Sequence, residues 1–235
     1  VTATQTDKAG NQSDEGRDTA TVDNTKASAP VVTIVDDKNN DTYLTNAEIA
    51  ATGNDGEVTV TVAVNDADLQ AGGTVTLTIN GGNAIELSLK DGKLVDSSDN
   101  EYTYSNGLIT LTQPAPAEGQ SITVTATQTD KAGNQSDEGR DTATVDNTKA
   151  SAPVVTIVDD KNNDTYLTNA EIAATGNDGE VTVTVAVNDA DLQAGGTVTL
   201  TINGGNAIEL SLKDGKLVDS SDNEYTYSNG LITLT

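Results

Sequence analysis

A perfect internal duplication constrains this chain more than any other feature. Every residue from Val1 to Thr112 is identical to its partner from Val124 to Thr235, so the sequence repeats with a period of 123 residues. Repeats of about 20 to 50 residues indicate solenoids, whose units cannot fold alone. A unit of this size is as long as a small domain. The sequence therefore predicts a tandem array of separately folded domains.

The domain boundaries are predicted from a linker that occurs twice. The segment DNTKASAP, residues 23–30 and 146–153, is polar, lacks glycine and ends in proline, as expected for a short, fairly stiff connection. This places one complete repeat at 29–150. Residues 1–28 are then the C-terminal strands of a preceding repeat, and 151–235 are an incomplete following one. We expect both ends to be cuts through a longer array, with neighbouring molecules covering the open edges.

Composition excludes several classes of function. The chain has 12 Lys and Arg against 37 Asp and Glu, a net charge of −25, and it contains no His, Cys, Met, Trp or Phe. Without thiols or imidazoles, it cannot form zinc fingers, haem sites, disulfides or Cys and Ser-His nucleophiles. The acidity argues against nucleic acid as a partner. No apolar run is long enough to span a membrane, and no catalytic motif is present, so we expect neither membrane insertion nor enzymatic activity.

Hydrophobic residues alternate with polar ones along most of the repeat, which predicts β-strands. Short strands separated by Gly, Asn and Asp turns are typical of an all-β fold, and we predict an Ig-like antiparallel β-sandwich without the antibody Cys and Trp residues. Tight hairpins are expected at Asn80-Gly81-Gly82 and Asp91-Gly92. The predicted strands are 31–35, 57–64, 74–79, 84–89, 108–112, 121–129 and 141–145.

The predicted core is thin and the repeat is strongly charged. Val, Ile and Leu make up 25 of residues 1–123, and the same stretch carries 19 acidic and 6 basic side chains. Repulsion between like charges works against a compact state. We therefore expect a divalent cation to be bound.

One loop has the spacing of a calcium-binding loop of the EF-hand type. Asp37, Asn39 and Asp41 fall at positions 1, 3 and 5, the Tyr43 carbonyl at position 7, and Glu48 at position 12 as a bidentate ligand. Thr42 replaces the usual glycine at position 6, and no long helices flank the loop, so we predict an EF-hand-like loop between strands. The neighbouring Asp36 and its copy Asp159 are further candidates. The second copy of the loop holds Asp160, Asn162, Asp164, Tyr166 and Glu171.

The last residues of the loop have an alternative role. Thr45 to Glu48 also forms a capping box that would start a helical turn ending near Gly53, and Glu48 could serve both roles.

Further carboxylates lie near the linkers, where a calcium ion shared between repeats would join them rigidly. In an end-to-end array, we expect the TDKAGN turn of one repeat to face the linker and the first loop of the next. These candidates are Asp23, Asp146, Asp7 and Asp130, followed by Asp55, Asp178, Asp66 and Asp68.

The segment ITVTATQTDKAGNQSDEGRDTATVDNTKASAPVVTIVDD, residues 122–160, resembles the bacterial Ig-like repeats of giant RTX adhesins. These repeats join a TDKAGN-type turn, a linker with VD and AP, and the next first strand. The resemblance implies a secreted, fibrillar surface protein of a Gram-negative bacterium, exported by type I secretion. Its partners would be neighbouring identical repeats and calcium ions, and the array would act as an extender that carries a distal ligand-binding tip.

A second hypothesis is that the repeat itself binds ice or sugar. Threonines alternate along 59–61 and 74–78, and ordered rows of them on a flat face would favour ice, although threonine is also common on the solvent side of strands. Sugar binding would need exposed aromatic platforms, for which each repeat offers Tyr43, Tyr102 and Tyr104. The last two are expected on one face of a strand.

Overall fold

The chain folds as two units in the computed structural model, which describes residues 1–53, 56–174, 176 and 179–235. The first unit is Val1–Asn147 and the second is Thr148–Thr235, so the division falls within the second linker.

The first unit begins with a small hairpin and continues into ten strands and two short helices. The hairpin strands are β1 (Thr2–Ala3) and β2 (Gly16–Arg17). The elements that follow are β3 (Val31–Ile34), β4 (Tyr43–Leu44), α1 (Asn46–Ala51), β5 (Glu57–Ala63), α2 (Asp66–Gln70), β6 (Thr74–Ile79), β7 (Ile85–Lys90), β8 (Lys93–Val95), β9 (Glu101–Ser105), β10 (Leu108–Pro114), β11 (Ser121–Thr129) and β12 (Gly139–Val145).

These ten strands form two layers with the strand order of an immunoglobulin sandwich. One layer is β3-β5-β10-β9 and the other is β8-β7-β6-β11-β12-β4, and β9 pairs with both β10 and β8. All pairs are antiparallel except β12 with β4. The first layer corresponds to strands A, B, E and D, and the second to C″, C′, C, F and G plus a short strand beside G. The predicted all-β sandwich is confirmed.

Alternate residues of facing strands fill the space between the layers, because successive side chains of a strand point to opposite sides. Val58, Val60 and Val62 of β5 are fully buried, as are Ile122 and Val124 of β11. Burying one such side chain contributes about 1.5–3 kcal/mol.

Tight turns connect consecutive strands where Asn or Asp precedes Gly. Asn80 and Gly81 have φ of 51° and 65°, and Asp91 and Gly92 have φ of 52° and 79°. Positive φ at both central residues is the requirement of a type I′ turn. Asp91-Gly92 forms the predicted two-residue hairpin between β7 and β8, whereas Asn80-Gly81 is a turn within the longer connection between β6 and β7. A third turn of this kind, Asn106-Gly107, joins β9 to β10.

The second unit repeats the first as far as its E strand. Its sheet runs β13-β14-β19-β18-β17-β16-β15 and stops at β15, which is equivalent to β6. Strands equivalent to β11 and β12 are not part of this unit. Its elements are β13 (Val154–Ile157), α3 (Asn169–Ala173), β14 (Val183–Ala186), α4 (Asp189–Gln193), β15 (Val198–Leu200), β16 (Ile208–Lys213), β17 (Lys216–Asp219), β18 (Glu224–Ser228) and β19 (Leu231–Leu234).

Without those two strands, the second unit exposes side chains that are buried in the first. Val32 is 7% exposed whereas its copy Val155 is 63% exposed, and Ile34 is 1% exposed whereas Ile157 is 46% exposed. The sequences are identical, so the missing cover accounts for the difference.

Candidate functional site

The predicted calcium loop brings three of its oxygen-bearing side chains together. The Asp37 carboxylate accepts hydrogen bonds from the backbone N–H groups of Asp41 at 3.0 Å and Thr42 at 2.9 Å. The Asn39 amide donates to the Asp41 carboxylate at 2.8 Å, and the same carboxylate accepts from the Tyr43 N–H at 2.8 Å. Positions 1, 3 and 5 of the predicted loop are therefore adjacent in space.

Thr42 adopts the backbone conformation that glycine supplies in an EF-hand. Its φ is 70°, in the left-handed region that β-branched residues rarely enter. In the calcium loop the invariant glycine at position 6 makes a sharp turn. This chain makes its turn at the same position with a threonine whose N–H is held by the Asp37 carboxylate.

Glu48 caps the helix α1. Its carboxylate accepts from the Thr45 N–H at 2.9 Å and from the Thr45 hydroxyl at 2.8 Å, while its own N–H donates to that hydroxyl. This is the capping box predicted from the sequence, and α1 ends close to Gly53 as expected. Both hydrogen bonds from Thr45 use the Oε2 atom of Glu48.

Asp36 lies in the interior rather than beside the loop side chains. Its carboxylate is fully buried and accepts from the Thr52 hydroxyl at 2.6 Å and the Thr59 N–H at 2.5 Å. Its copy Asp159 is also buried and accepts from the Thr182 N–H at 2.6 Å. Asp36 thus joins the first loop to strand β5, and Asp159 joins the second copy of the loop to the residue before β14.

The second copy of the loop has the same geometry. Asp160 accepts from the N–H groups of Asp164 and Thr165, each at 3.1 Å, and Asn162 donates to Asp164 at 3.0 Å. Asp164 accepts from the Tyr166 N–H, and Glu171 caps α3 through Thr168. Because the second unit lacks strands F and G, the loop conformation is set by its own residues.

The first loop of the complete unit lies beside the linker that leaves that unit. β4 pairs in parallel with β12, and the Asp146 N–H donates to the Leu44 carbonyl at 3.0 Å. The Asn147 side chain accepts from the Asn46 N–H at 2.7 Å, and its N–H donates to Glu118 at 3.0 Å. Glu118 and Asn147 have no local sequence signal for this position, because only the pairing of distant strands brings them here.

The TDKAGN turn lies beside the linker that enters the unit. The Asn134 amide donates to the Asp130 carboxylate at 2.9 Å and to the Asp23 carbonyl at 3.2 Å. Hydrogen bonds from the Asn134 side chain and from backbone N–H groups lower the pKa of Asp130. Asp7 makes the same bonds with Asn11, which also lower its pKa.

This placement corrects the expected layout of a junction. The TDKAGN turn packs against the preceding linker, not the following one, and the first loop contacts the following linker. The reason is strand direction, since β11 runs from the end that holds the first loop towards the opposite end.

The remaining candidates are distributed over the unit. Asp66 accepts a hydrogen bond from the Tyr104 hydroxyl, and Asp68 lies in α2, whose cap is Asn65. Asp55 and Asp178 lie outside the described residues. Across the residues that are described, no three acidic side chains come close enough to hold a metal on their own. A cation in the loop would thus depend on Asn and carbonyl oxygens as well.

Two of the three tyrosines considered for sugar binding are engaged with the protein, whereas Tyr43 is 48% exposed. Tyr102 and Tyr104 pack against the core, and burial together with the bond to Asp66 raises the pKa of Tyr104 to about 12. Threonine rows do cross the sheet, because Thr74, Thr76 and Thr78 of β6 pair with threonines of β11. Rows alone do not establish a function, and the ice hypothesis stays a prediction.

Comparisons with known proteins add little. No protein-family model matches the chain, and no curated protein is similar to it in sequence. Among solved structures, the chain is similar to the crystal structure of a mutant SrpA adhesin from Streptococcus sanguinis. The identity is 16% over 87% of this chain and 95% of that chain, with a TM-score of 0.27. A TM-score this low does not establish a shared fold. In the described part of the chain, no helix has the length and apolar character needed to cross a membrane.

Proposed function

We propose that this chain is a segment of an extender in a secreted bacterial surface adhesin, in which tandem sandwiches are stiffened by calcium. The observation that carries the proposal is the loop at Asp37–Asp41, which has the same geometry in both copies and lies where the complete unit joins its following linker. The family resemblance of the repeat supports the same conclusion.

The complete unit has the connectivity that an extender needs. Its preceding linker contacts the TDKAGN turn, and its following linker contacts the first loop, at the other end of strands β11 and β12. A strand advances about 3.3 Å per residue, so β11, with nine residues, spans about 30 Å and each copy would add about that length. Identical copies add length to an array, whereas a varied binding surface would need copies that differ. The perfect duplication therefore fits an extender.

The loop offers ligands of the type that calcium prefers. Calcium takes six to eight oxygen ligands, and Asp37, Asn39, Asp41 and the Tyr43 carbonyl are oxygen donors in adjacent positions. Glu48, whose carboxylate also caps α1, would complete the set. Extracellular modules of this kind bind calcium with Kd of about 10⁻⁴ to 10⁻³ M.

Such a site would couple calcium to rigidity. A ligand that binds only the folded state adds RT ln(1 + [Ca]/Kd), about 1.4 kcal/mol per site at ten times Kd. Natural domains are stable by only about 5–15 kcal/mol. Several sites would therefore leave the array soft at low cytoplasmic calcium and rigid outside the cell.

Calorimetric titration of the 235-residue chain with calcium tests the proposal. The parent chain should bind calcium at two loops and melt at a higher temperature than in EDTA. The double variant Asp37→Asn with Asp160→Asn should lose at least tenfold in affinity. Glu48→Gln with Glu171→Gln retains the capping box and should weaken binding less.

A matched control changes the same charge elsewhere. Asp91→Asn with Asp214→Asn neutralises two turn aspartates whose positive φ asparagine accepts readily. This variant should bind calcium like the parent. Equal melting curves with calcium and with EDTA would refute a loop-bound calcium. So would an affinity loss in the Asp91 and Asp214 double variant as large as that in the Asp37 and Asp160 double variant.

A further inference from the structure

We propose that the outer face of the β3-β5-β10-β9 layer is a self-association surface, on which a second copy of this chain docks through the same face. Successive side chains of a strand point to opposite sides, so every second residue of these strands lies on the outer face. One row across all four strands consists of threonines alone. Its members are partners in the sheet ladders: Thr33, Thr61, Thr110 and Thr103.

A neighbouring row, two residues along the strands, is mainly apolar. It consists of Val31, Ala63, Leu108 and Ser105. Val31 is 64% exposed and Leu108 is 43% exposed. On the other side of the threonine row, Thr59 pairs with Thr112. We call these three rows the neutral face, because none of their side chains carries a charge.

The second unit repeats the two rows of four in the same register. The threonine row there is Thr156, Thr184, Thr233 and Thr226, and the apolar row is Val154, Ala186, Leu231 and Ser228. Val154 is 63% exposed and Leu231 is 43% exposed, which matches the first unit. The exposure of this face therefore does not depend on strands F and G, and the face is a property of the repeat.

Charge favours a second copy as the partner. The chain has a net charge of −25, so two copies repel each other wherever their carboxylates approach. In the described strands of this layer, the charged outward side chains are Glu57 and Glu101 at one rim, and Glu101 is paired with Lys93. The neutral face can thus be covered while these carboxylates stay in water. The outer face of the other layer carries Glu86 and Arg140 among its threonines.

The neutral face is also complementary to itself. A threonine hydroxyl both donates and accepts, so the hydroxyls of one face can bond to those of an identical face. The valine and leucine of the apolar row can pack against their own copies. Two identical patches that meet in this way form a twofold-symmetric contact. Stacked sheets of a sandwich lie about 10 Å apart, and two flat outer faces can approach to the same distance.

The size of the face predicts a weak, reversible contact. Four strands at a spacing of about 4.8 Å and rows that extend about 17 Å along them give roughly 300 Å². Two faces would bury about 600 Å², about half of the smallest standard interface of about 1,200 Å². Each molecule carries the face on both units, so a second contact can reinforce the first.

Sedimentation velocity over a range of concentrations, with EDTA throughout, tests the inference, which depends neither on calcium nor on the extender role. The parent chain should associate reversibly, and more tightly as sodium chloride is added, because salt screens the repulsion between copies. Thr110→Glu with Thr233→Glu places like charges opposite each other and should weaken association about tenfold or more. Ser88→Glu with Ser211→Glu adds the same charge at exposed positions of the other layer and should associate like the parent.

A second pair of changes tests the face without adding charge. Leu108→Thr with Leu231→Thr removes apolar surface and should weaken association about threefold or more. Circular dichroism checks the fold of each variant. The inference would be overturned by a parent that stays monomeric at every concentration, by association that weakens with salt, or by equal effects of the Thr110 and Ser88 double variants.

A mixing experiment tests whether the face meets its own copy. Thr110→Lys with Thr233→Lys places a positive charge at the centre of each face. Mixed with the Thr110→Glu and Thr233→Glu chain, it should form a mixed complex at least as tight as that of the parent, because opposite charges then meet across the twofold axis. A mixture no tighter than the glutamate variant alone would contradict a contact between identical faces.

Discussion

Thr42 and Thr165 are strained residues that identify the loop as a special one. In the described ranges, every other non-glycine residue with positive φ is Asn or Asp, whose short side chains tolerate this conformation. Both threonine N–H groups donate to the aspartate at position 1 of the loop, Asp37 or Asp160. The hydrogen bonds to the carboxylate therefore help to maintain an unfavourable backbone conformation.

Replacing Thr42 with glycine should stabilise the first unit. Strain of this type costs about 1–3 kcal/mol, whereas the extra freedom of an unfolded glycine costs about 0.5–1 kcal/mol. The Thr42 side chain is exposed, and its backbone bonds to Asp37 and Thr144 do not involve it. We expect Thr42→Gly to raise the free energy of unfolding by about 1 kcal/mol in urea titrations.

Thr42→Ala is the control for this change. Alanine keeps the Cβ atom that clashes in the left-handed region, so it should bring no comparable gain. If Thr42→Gly is less stable than Thr42→Ala, strain at this position is not significant.

At the scale of elements, the duplication shows how far partner strands determine secondary structure. Tyr43–Leu44 is strand β4 in the first unit, whereas the same two residues at 166–167 form no strand in the second. β5 has seven residues, and its equivalent β14 has four. The loop keeps its hydrogen bonds in both units, and helix α3 has the same capping box as its equivalent α1. Local bonds therefore survive the loss of strands F and G, and strands that depend on distant partners shorten.

Hydrogen exchange should report this difference within one experiment. The peptide TVTLTI occurs at 74–79, where β11 covers it, and at 197–202, where it forms the open edge. Both copies have the same mass and the same intrinsic exchange rate. In dilute solution, mass spectrometry of the parent chain should show two equally populated isotope envelopes for this peptide.

The peptide IELSLK is the matched control, because β7 and β16 are paired on both sides in their units. It should give a single envelope, or two that differ far less. One slowly exchanging envelope for TVTLTI in dilute solution would show that its edge is protected in both copies.

Alternation along the sequence was sufficient to predict seven of the strands, because each has a buried and an exposed face. β4 and β8 are too short for alternation to be visible, and both exist through pairing with neighbours. Helix α2 was not predicted, since its only marks are the cap Asn65 and the buried Leu69. The hairpin turns were predictable because positive φ restricts the residue type.

The candidate site was predictable only in its local part. Spacing alone located Asp37, Asn39 and Asp41, whose bonds span five residues or fewer. The position of Asp146 near Leu44 depends on the pairing of β4 with β12, about a hundred residues away in the chain. The expectation for the TDKAGN turn failed for the same reason, since no local pattern specifies which end of a sandwich a turn occupies.

For the whole molecule, charge is the dominant electrostatic property. The chain has 37 acidic and 12 basic side chains, and the described residues contain five ion pairs, all of them exposed. An exposed pair contributes about 0–1 kcal/mol. Most carboxylates in the described ranges are outside these pairs, so repulsion among them should outweigh the attraction within the pairs.

Monovalent salt should consequently stabilise the protein. The screening length falls from about 30 Å at 0.01 M to about 3 Å at 1 M, so salt weakens the repulsion summed over many carboxylates more than it weakens five contacts at short range. In EDTA, the main thermal transition should move to higher temperature as sodium chloride is added, and potassium chloride should have the same effect. The double variant Asp91→Asn with Asp214→Asn carries two fewer negative charges and should respond less steeply. A transition that falls with salt would mean that the ion pairs, such as Lys93 with Glu101, contribute more than the net charge.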